Sequence, residues 1–358
     1  MTPTLPTPRT PDPADAPPLG WGIIAPGNIA SGMAHALRTH TRQRLVACGS
    51  RSLERAQRFA DEFGVERAYD SYEALVADAD VDIVYVASPH SGHREQALLA
   101  IEAGKHVLIE KSFTRNAAEA REVSDAARAA KVACLEAMWP RFLPRFDIVR
   151  QLLADGTLGP IETVIADHGQ PLSADRVPRL HDPELAGGAL LDLGIYPVSF
   201  AFFALGTPAR VHASGTLTES GVDRQVSMVF EHEPSGPSDA GASPSVVSDA
   251  GAHALLSTTL AARTPASASI AGTRARIELD KFYHPGAVRL VTSDGEIAES
   301  APPAIRDSEG LCFEAVHLAQ LVADGATESP LLGLDETVAI MATLDDIRAQ
   351  VGVRYPGE

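Results

Sequence analysis

Cysteine is scarce. The 358 residues contain three, Cys48, Cys134 and Cys312, far apart and with no C-x-x-C pair. An odd count at that spacing argues against a disulfide framework and against a zinc ribbon, so no metal site is expected. It fits a reducing compartment, and the expected location is cytoplasmic. Long apolar runs are missing too: none approaches the roughly 20 residues a membrane helix needs. The N-terminus has no apolar h-region. It reads MTPTLPTPRTPDPADAPPLG, with proline where a signal peptide would be greasy. Residues 1–18 are expected to form a flexible, partly polyproline-II arm, either a free tail or a strap around a partner subunit. Positive charge is in deficit. Lys plus Arg number 30 against 47 Asp plus Glu, a net charge of −17. Long-range repulsion then excludes nucleic acid and anionic membrane as general partners.

The composition that remains is globular: 45% hydrophobic and 22% charged residues rule out whole-chain disorder. At about 150 residues per domain, the length suggests two domains. Order begins at Trp21. A short apolar run, 22–25, enters the turn Pro26-Gly27-Asn28-Ile29-Ala30, and a helix follows through Leu37. Strands at 45–49, 81–87, 106–109 and 132–135 then alternate with helices at 53–63, 72–77, 93–103 and 117–130. That rhythm means βαβ units on a parallel sheet, and the short unalternating strands suit a sheet covered on both faces. After about residue 150 the rhythm changes. Strand-like runs at 161–167, 209–217, 225–230, 254–260, 267–271, 275–279 and 288–292 predict a mostly antiparallel sheet. The Pro/Ser/Gly/Ala-rich interval 233–252 reads as a mobile insertion, and 313–323 and 334–350 as closing amphipathic helices. The expected fold is α/β: an N-terminal doubly wound Rossmann domain over 19–140, then an α+β domain with an open sheet over 141–358.

The first strand–turn–helix is where a dinucleotide pyrophosphate would meet backbone N–H groups and the helix dipole. Ala25, Gly27 and Ala30 align with the G-x-G-x-x-[GA] fingerprint, which places Gly27, Asn28 and Ile29 at the phosphates. The match is weak alone and gains from opening a βαβ series. At the end of the second strand an NAD site usually carries an acid for the ribose 2′-OH. Here Cys48-Gly49-Ser50-Arg51-Ser52 has none, and Arg55 follows one turn later. Ser50, Arg51 and Arg55 suit a 2′-phosphate, favouring NADP over NAD; the alternative is an exposed basic helix start. Ser88, His90 and His93 follow the strand at 81–87 and face either the ligand crevice or a helix start. Glu110-Lys111-Ser112 ends the strand at 106–109. A lysine there is a solvated cation or a fixed charge beside the nicotinamide that favours alkoxide character in a bound alcohol. Asp192 and Tyr196 stand i, i+4 and share a face if their segment is helical, although Pro197 argues against an unbroken helix. They are either a buried Tyr–Asp pair or, with Lys111, an acid–base set.

Together these segments resemble the Gfo/Idh/MocA oxidoreductase family: AGKHVLIEKSFTRNAAEA (103–120), AGGALLDLGIYPVS (186–199) and TESPLLGLDETVAIMATLDDIR (327–348). The stretch LEAMWPRFLPRFDIVRQLLADGTLG (135–159) resembles the branch that holds dimeric dihydrodiol dehydrogenases and NADP-linked D-xylose dehydrogenases. The resemblance covers Trp21 to Gly352 apart from the insertion. It implies a Rossmann domain plus an open-faced domain whose sheet builds a homodimer or homotetramer. It implies Glu110-Lys111 as the E-K-P motif with Lys111 catalytic, although Ser112 replaces a proline that is often cis in this family. Asp192 and Tyr196 match D-x-x-x-[HY], whose last residue passes the proton. Trp139 and Arg141 match W-x-R beside the nicotinamide, and Arg179, Phe282 and Tyr283 are further pocket candidates. The implied activity is NADP-linked hydride exchange with a sugar, a diol or a related polyol. A noncatalytic NADP-binding sensor on the same fold is the alternative, and it should have lost the Lys/Tyr pair. A third reading is a nicotinamide enzyme for an imine or a tetrapyrrole.

Overall fold

The computed structural model describes residues 3–234 and 247–358. The chain forms two compact units: Pro11–Phe142 with Ile305–Met341, and Met1–Thr10 with Leu143–Ala304 and Ala342–Glu358. One break falls between Phe142 and Leu143, and Ile305–Met341, expected in the second domain, belongs to the first of these units.

The nucleotide unit alternates β1 (Gly20–Ile24), α1 (Asn28–His40), β2 (Arg44–Gly49), α2 (Leu53–Phe63), β3 (Arg67–Tyr69), α3 (Tyr72–Val76), β4 (Ile83–Val86), α4 (His90–Glu102), β5 (His106–Glu110), α5 (Ala117–Ala130) and β6 (Cys134–Ala137). Its six strands run parallel in the order β3-β2-β1-β4-β5-β6. β1 and β4 are buried along their whole length, as a sheet covered on both faces requires. The strand order reverses between β1 and β4, the place where doubly wound sheets bind nucleotides. Local chemistry sets the helix ends: Ser52 caps α2 by accepting the Arg55 N–H, and Gly64 closes it at φ 65°. β3 has only three residues, all half-buried, and left no apolar signal in the sequence.

The second unit starts with α6 (Pro144–Ala154) and β7 (Ile161–Gly169) and continues through α7 (Ile195–Leu205). β8 (Arg210–Leu217), β9 (Asp223–His232), β10 (Ala252–Thr259), β11 (Ala268–Gly272), β12 (Ala275–Leu279), β13 (Val288–Thr292) and β14 (Ile297–Glu299) follow. The eight-stranded order is β14-β13-β12-β11-β7-β10-β9-β8, with β7 and β10 parallel and every other pair antiparallel. α7 packs on β7 and β10. Phe146, Phe200 and Phe282 are fully buried in this layer. The outward face leaves Ile165 and Leu255 51% and 46% exposed. α8 (Cys312–Ala323) returns to the nucleotide unit and packs on β5 and β6, which explains why 305–341 belongs there. α9 (Leu334–Val351) is the closing helix.

Three expectations need correction. The arm is not free. The backbone N–H of Arg9 donates to Asp147 at 2.7 Å, its guanidinium to the same carboxylate at 3.1 Å, and Gln151 to the Thr7 carbonyl at 3.0 Å. Further along, Arg42 donates to the Ala14 carbonyl at 2.7 Å and Gln43 to that of Pro17 at 2.8 Å. An extended proline-rich chain makes few hydrogen bonds of its own, so its open carbonyls are taken up by these side chains. Secondly, Pro183–Leu205 does reach membrane-spanning length, but its 18-residue window with a mean hydropathy of 1.6 is entirely buried inside the protein as core. Thirdly, the insertion expected at 233–252 lies, over 235–246, outside the described residues; Val247 already bridges Ile161 and β10 starts at Ala252.

Candidate active site

The turn after β1 is built for close approach. Ala25 takes the left-handed conformation at φ 58° and donates its N–H to the Gly49 carbonyl at 3.0 Å. It therefore occupies a backbone conformation that favours glycine, which is what the fingerprint asks for there. Gly27 precedes α1 with no side-chain cap, and a Cβ on it would meet nothing nearer than 3.9 Å. The first N–H groups of α1 lack intrahelical partners, as at any helix start, and such a start suits an anion. Asn28 and Ile29 open the helix, and Ile29 is 39% exposed. At the end of β2, Ser50 is buried, and its hydroxyl accepts the Ser52 N–H at 3.3 Å. Arg51 and Arg55 are exposed, with no carboxylate partner among the described residues. Tyr72, at the start of α3, feels both guanidiniums. Burial pushes its phenol up and the two arginines pull it back. The sequence reading had missed Tyr72, because nothing in the sequence links it to residues 51 and 55.

The neighbouring strand ends carry the second cluster. Glu110 is buried and accepts the Tyr85 hydroxyl on one oxygen and the Lys111 backbone N–H on the other, at 3.2 Å. Lys111 is half-buried, and the Lys111–Ser112 peptide is cis although residue 112 is serine. His93 is enclosed. Its Nδ1 lies 2.9 Å from the Ser112 carbonyl and its Nε2 lies 2.8 Å from that of Ser88. Burial pushes its pKa down while those carbonyls push it up. His93 therefore ties the loop after β4 to the loop after β5 rather than opening onto a crevice. His90 starts α4, is buried, and sits edge-on to His93 at 5.7 Å. Trp139 and Arg141 follow β6. Both are buried, and the Arg141 guanidinium pairs with Glu336 on α9.

The third cluster belongs to the second unit. Residues 190–194 form a wide π-helical turn that runs directly into α7. Asp192 and Tyr196 therefore do not share an unbroken α-helix. The wider turn comes immediately before Pro197, whose ring would crowd the carbonyl four residues back in a regular helix. Gly187 and Gly188 make the entry possible. A Cβ on Gly187 would sit 2.6 Å from the Leu180 carbonyl oxygen, and one on Gly188, at φ 117°, would sit 2.1 Å from Asp223 Oδ1. The Asp223 carboxylate in turn accepts the Leu190 N–H at 2.6 Å and anchors the turn. Asp192 is nearly buried and accepts Arg179 Nη2 at 3.1 Å, so the pocket candidate Arg179 is its partner. Tyr196 meets His168 edge-on at 5.2 Å and Tyr283 at 5.6 Å. His168 and Tyr283 stack at 4.3 Å with their planes 20° apart. Phe282 is fully buried against Phe200 at 5.4 Å and serves the core. His168, at the end of β7, and Asp223 are the residues that the sequence had not singled out. Each lies far along the chain from the motif it supports.

Known proteins resemble this chain in sequence and in fold. The Gfo/Idh/MocA model for an oxidoreductase family with an NAD-binding Rossmann fold covers residues 19–138, and the family's C-terminal domain model covers 146–278. The chain is 34% identical over 348 residues to trans-1,2-dihydrobenzene-1,2-diol dehydrogenase of Mus musculus, which spans 94% of this chain and 98% of that protein. It is 34% identical over 344 residues to the Xenopus laevis protein of the same name, spanning 94% and 99%. Among solved structures, an aldose–aldose oxidoreductase from Caulobacter crescentus superposes with a TM-score of 0.79 at 25% identity, covering 94% of this chain and 98% of that one. A 3-ketoreductase from Actinomadura kijaniata in complex with NADP gives 0.77 at 25% identity, with the same coverage. The chain belongs to the Gfo/Idh/MocA family and is an NAD(P)-dependent oxidoreductase.

Proposed function

We propose that this protein is an NADP-dependent dehydrogenase or reductase acting on a carbinol or carbonyl carbon of a sugar, a diol or a related small polyol. The observation that carries the choice of NADP is Arg51 with Arg55. Two exposed guanidiniums without carboxylate partners among the described residues, in a chain of net charge −17, suit a 2′-phosphate beside Ser50. The α1 N-terminus and Gly27 hold the pyrophosphate. The bound nicotinamide supplies or accepts the hydride. The chain's own residues move and hold the proton. Tyr196 takes the hydroxyl proton in oxidation and gives it back in reduction. Lys111 keeps positive charge near the reacting oxygen and favours its alkoxide character. Asp192, braced by Arg179, orients the substrate hydroxyl. His168 and Tyr283 wall the phenol, and Trp139 with Arg141 supports the loop beyond β6.

The dihydrodiol and sugar-active relatives support a hydroxyl-bearing substrate. The open face of the eight-stranded sheet, where Ile165 and Leu255 are register neighbours, supports self-association as a dimer or tetramer. Fluorescence titration with NADPH and NADH tests the cofactor. NADPH should bind more tightly than NADH, and Arg51→Ala should remove the preference; equal binding of both by the wild type overturns it. A panel of pyranoses, diols and α-dicarbonyls, run with NADP and NADPH, tests the substrate class.

A further inference from the structure

Three carboxyl groups lie in the apolar layer behind the Lys111 loop. Glu110 ends β5, Glu136 sits in β6, and Glu314 projects from α8, which packs on both strands. Their residues are 6%, 1% and 0% exposed. Three neighbouring anions are strongly disfavoured where water is excluded, so protons must be held among them. Among the described residues no acid cluster has a geometry that would hold a metal ion.

The hydrogen-bond donors rank the three. Glu110 receives the Tyr85 hydroxyl and the Lys111 backbone N–H. Glu136 receives the Phe113 N–H on Oε1 at 3.0 Å, while its Oε2 has no partner. Glu314 receives none, and both of its buried oxygens lack a partner. A buried carboxylate without any donor bears the full cost of desolvation, whereas the acid form needs only one acceptor for its proton. We infer that Glu314 is a neutral carboxylic acid, leaving Glu110 as the standing carboxylate behind Lys111. Glu314 is then a positioning residue: it limits the negative charge that the lysine feels. The other groups in reach agree. Burial, then Glu110 and Glu136, push Glu314 well above the usual carboxylate range. Burial raises Glu136 to about 7, with the Phe113 N–H and Arg141 opposing and Glu336 and Glu110 adding. The Cys312 thiol on the same helix is pushed up to about 12, first by burial and then by Glu314. His93 also feels Lys111, and the Tyr85 phenol faces Glu110.

The protonation state stands on this geometry, and only its catalytic consequence rests on the reading of Lys111 above. The test is infrared difference spectroscopy of the full chain at neutral pH in H2O and D2O, wild type against Glu314→Gln. The expected result is loss of one protonated-carboxyl carbonyl band that shifts on deuteration, with the melting temperature retained. Loss of a carboxylate band instead, or no change, overturns the assignment. Glu314→Leu should lose the same band and serves if the glutamine variant does not fold. A second readout follows Lys111 itself. The chain has four lysines, so reductive methylation with ¹³C-formaldehyde gives few signals, and Lys111→Met assigns the one of interest. At neutral pH its chemical shift should stay the same in Glu314→Gln, because a neutral amide replaces a neutral acid; a displaced Lys111 signal would mean that a charge was removed and overturns the assignment. Neither readout needs turnover. Full activity in Lys111→Met would defeat the catalytic role proposed for Lys111 while leaving the carboxyl result to stand or fall separately.

Discussion

Tyr196 carries a phenol whose ordinary pKa is about 10, so it passes protons near neutrality only with a cation to assist it. In the proposed mechanism Lys111 is that cation. Tyr196→Phe should therefore lower kcat by roughly 10²- to 10⁴-fold, the usual share of general acid–base catalysis, and leave NADPH binding intact. Steady-state rates beside a nucleotide titration check both halves, and unchanged turnover would remove the residue from the mechanism. Arg51→Ala should cost about 1.5–3 kcal/mol of NADPH binding, the scale of a charge-assisted hydrogen bond, and leave NADH binding unaffected. Ala25 makes a different point. It holds a left-handed φ of 58° that costs a non-glycine residue about 1 kcal/mol. Ala25→Gly should raise stability by about that amount in urea unfolding, because the strain is removed and the Gly49 contact stays. Ala25, Arg51 and Lys111 could be put forward from the sequence because strand ends in a βαβ series face one edge, and Tyr196 because of its motif. Tyr72 and His168 could not, because what brings them to their partners is folding across 17 or more positions, as Tyr72 to Arg55 shows (72 − 55 = 17).

The entry to α7 depends on an element rather than on one side chain. The sequence placed Asp192 and Tyr196 at helical spacing; the chain instead opens a π-helical turn over 190–194 that Asp223 anchors through Leu190. Gly188→Ala would drive a methyl group to 2.1 Å from the Asp223 carboxylate in a left-handed conformation. We expect a loss of about 2–4 kcal/mol in thermal or urea unfolding, with kcat falling at the same time. Stability should also depend on pH in a definite direction. Burial raises Asp223 from 3.8 to about 6 and Glu136 from 4.5 to about 7. Between about pH 4 and 7 the folded chain keeps protons that the unfolded chain has already released. Stability is therefore higher at the acid end of that window and falls as pH rises through it, as far as these two groups are concerned. Glu136→Gln keeps a neutral side chain at every pH, so its melting temperature should decline less across this window; parallel curves for variant and wild type would count against the assignment.

For the molecule as a whole, the outward face of the second sheet is the surface most in need of a partner. Ile165 and Leu255 lie side by side on neighbouring parallel strands and are about half exposed. Sedimentation of the wild type should show a dimer or tetramer, and Ile165→Glu with Leu255→Glu should shift it to monomer with the far-ultraviolet circular dichroism unchanged. A monomeric wild type would sink the proposal. Periodicity alone was enough to place two sheets of different kinds and most of their strands, since alternation and its absence report burial on one face or two; the three-residue strands β3 and β14 were too short to leave a pattern. Motif spacing was enough to put Lys111, Asp192 and Tyr196 forward. The destination of 305–341, the docking of the proline-rich arm by Asp147, Arg42 and Gln43, and the meeting of Glu110, Glu136 and Glu314 were invisible in the linear order. Local pattern reflects what each segment must bury. Which distant segment covers it, and so which buried acids must share protons, is settled only when the chain packs.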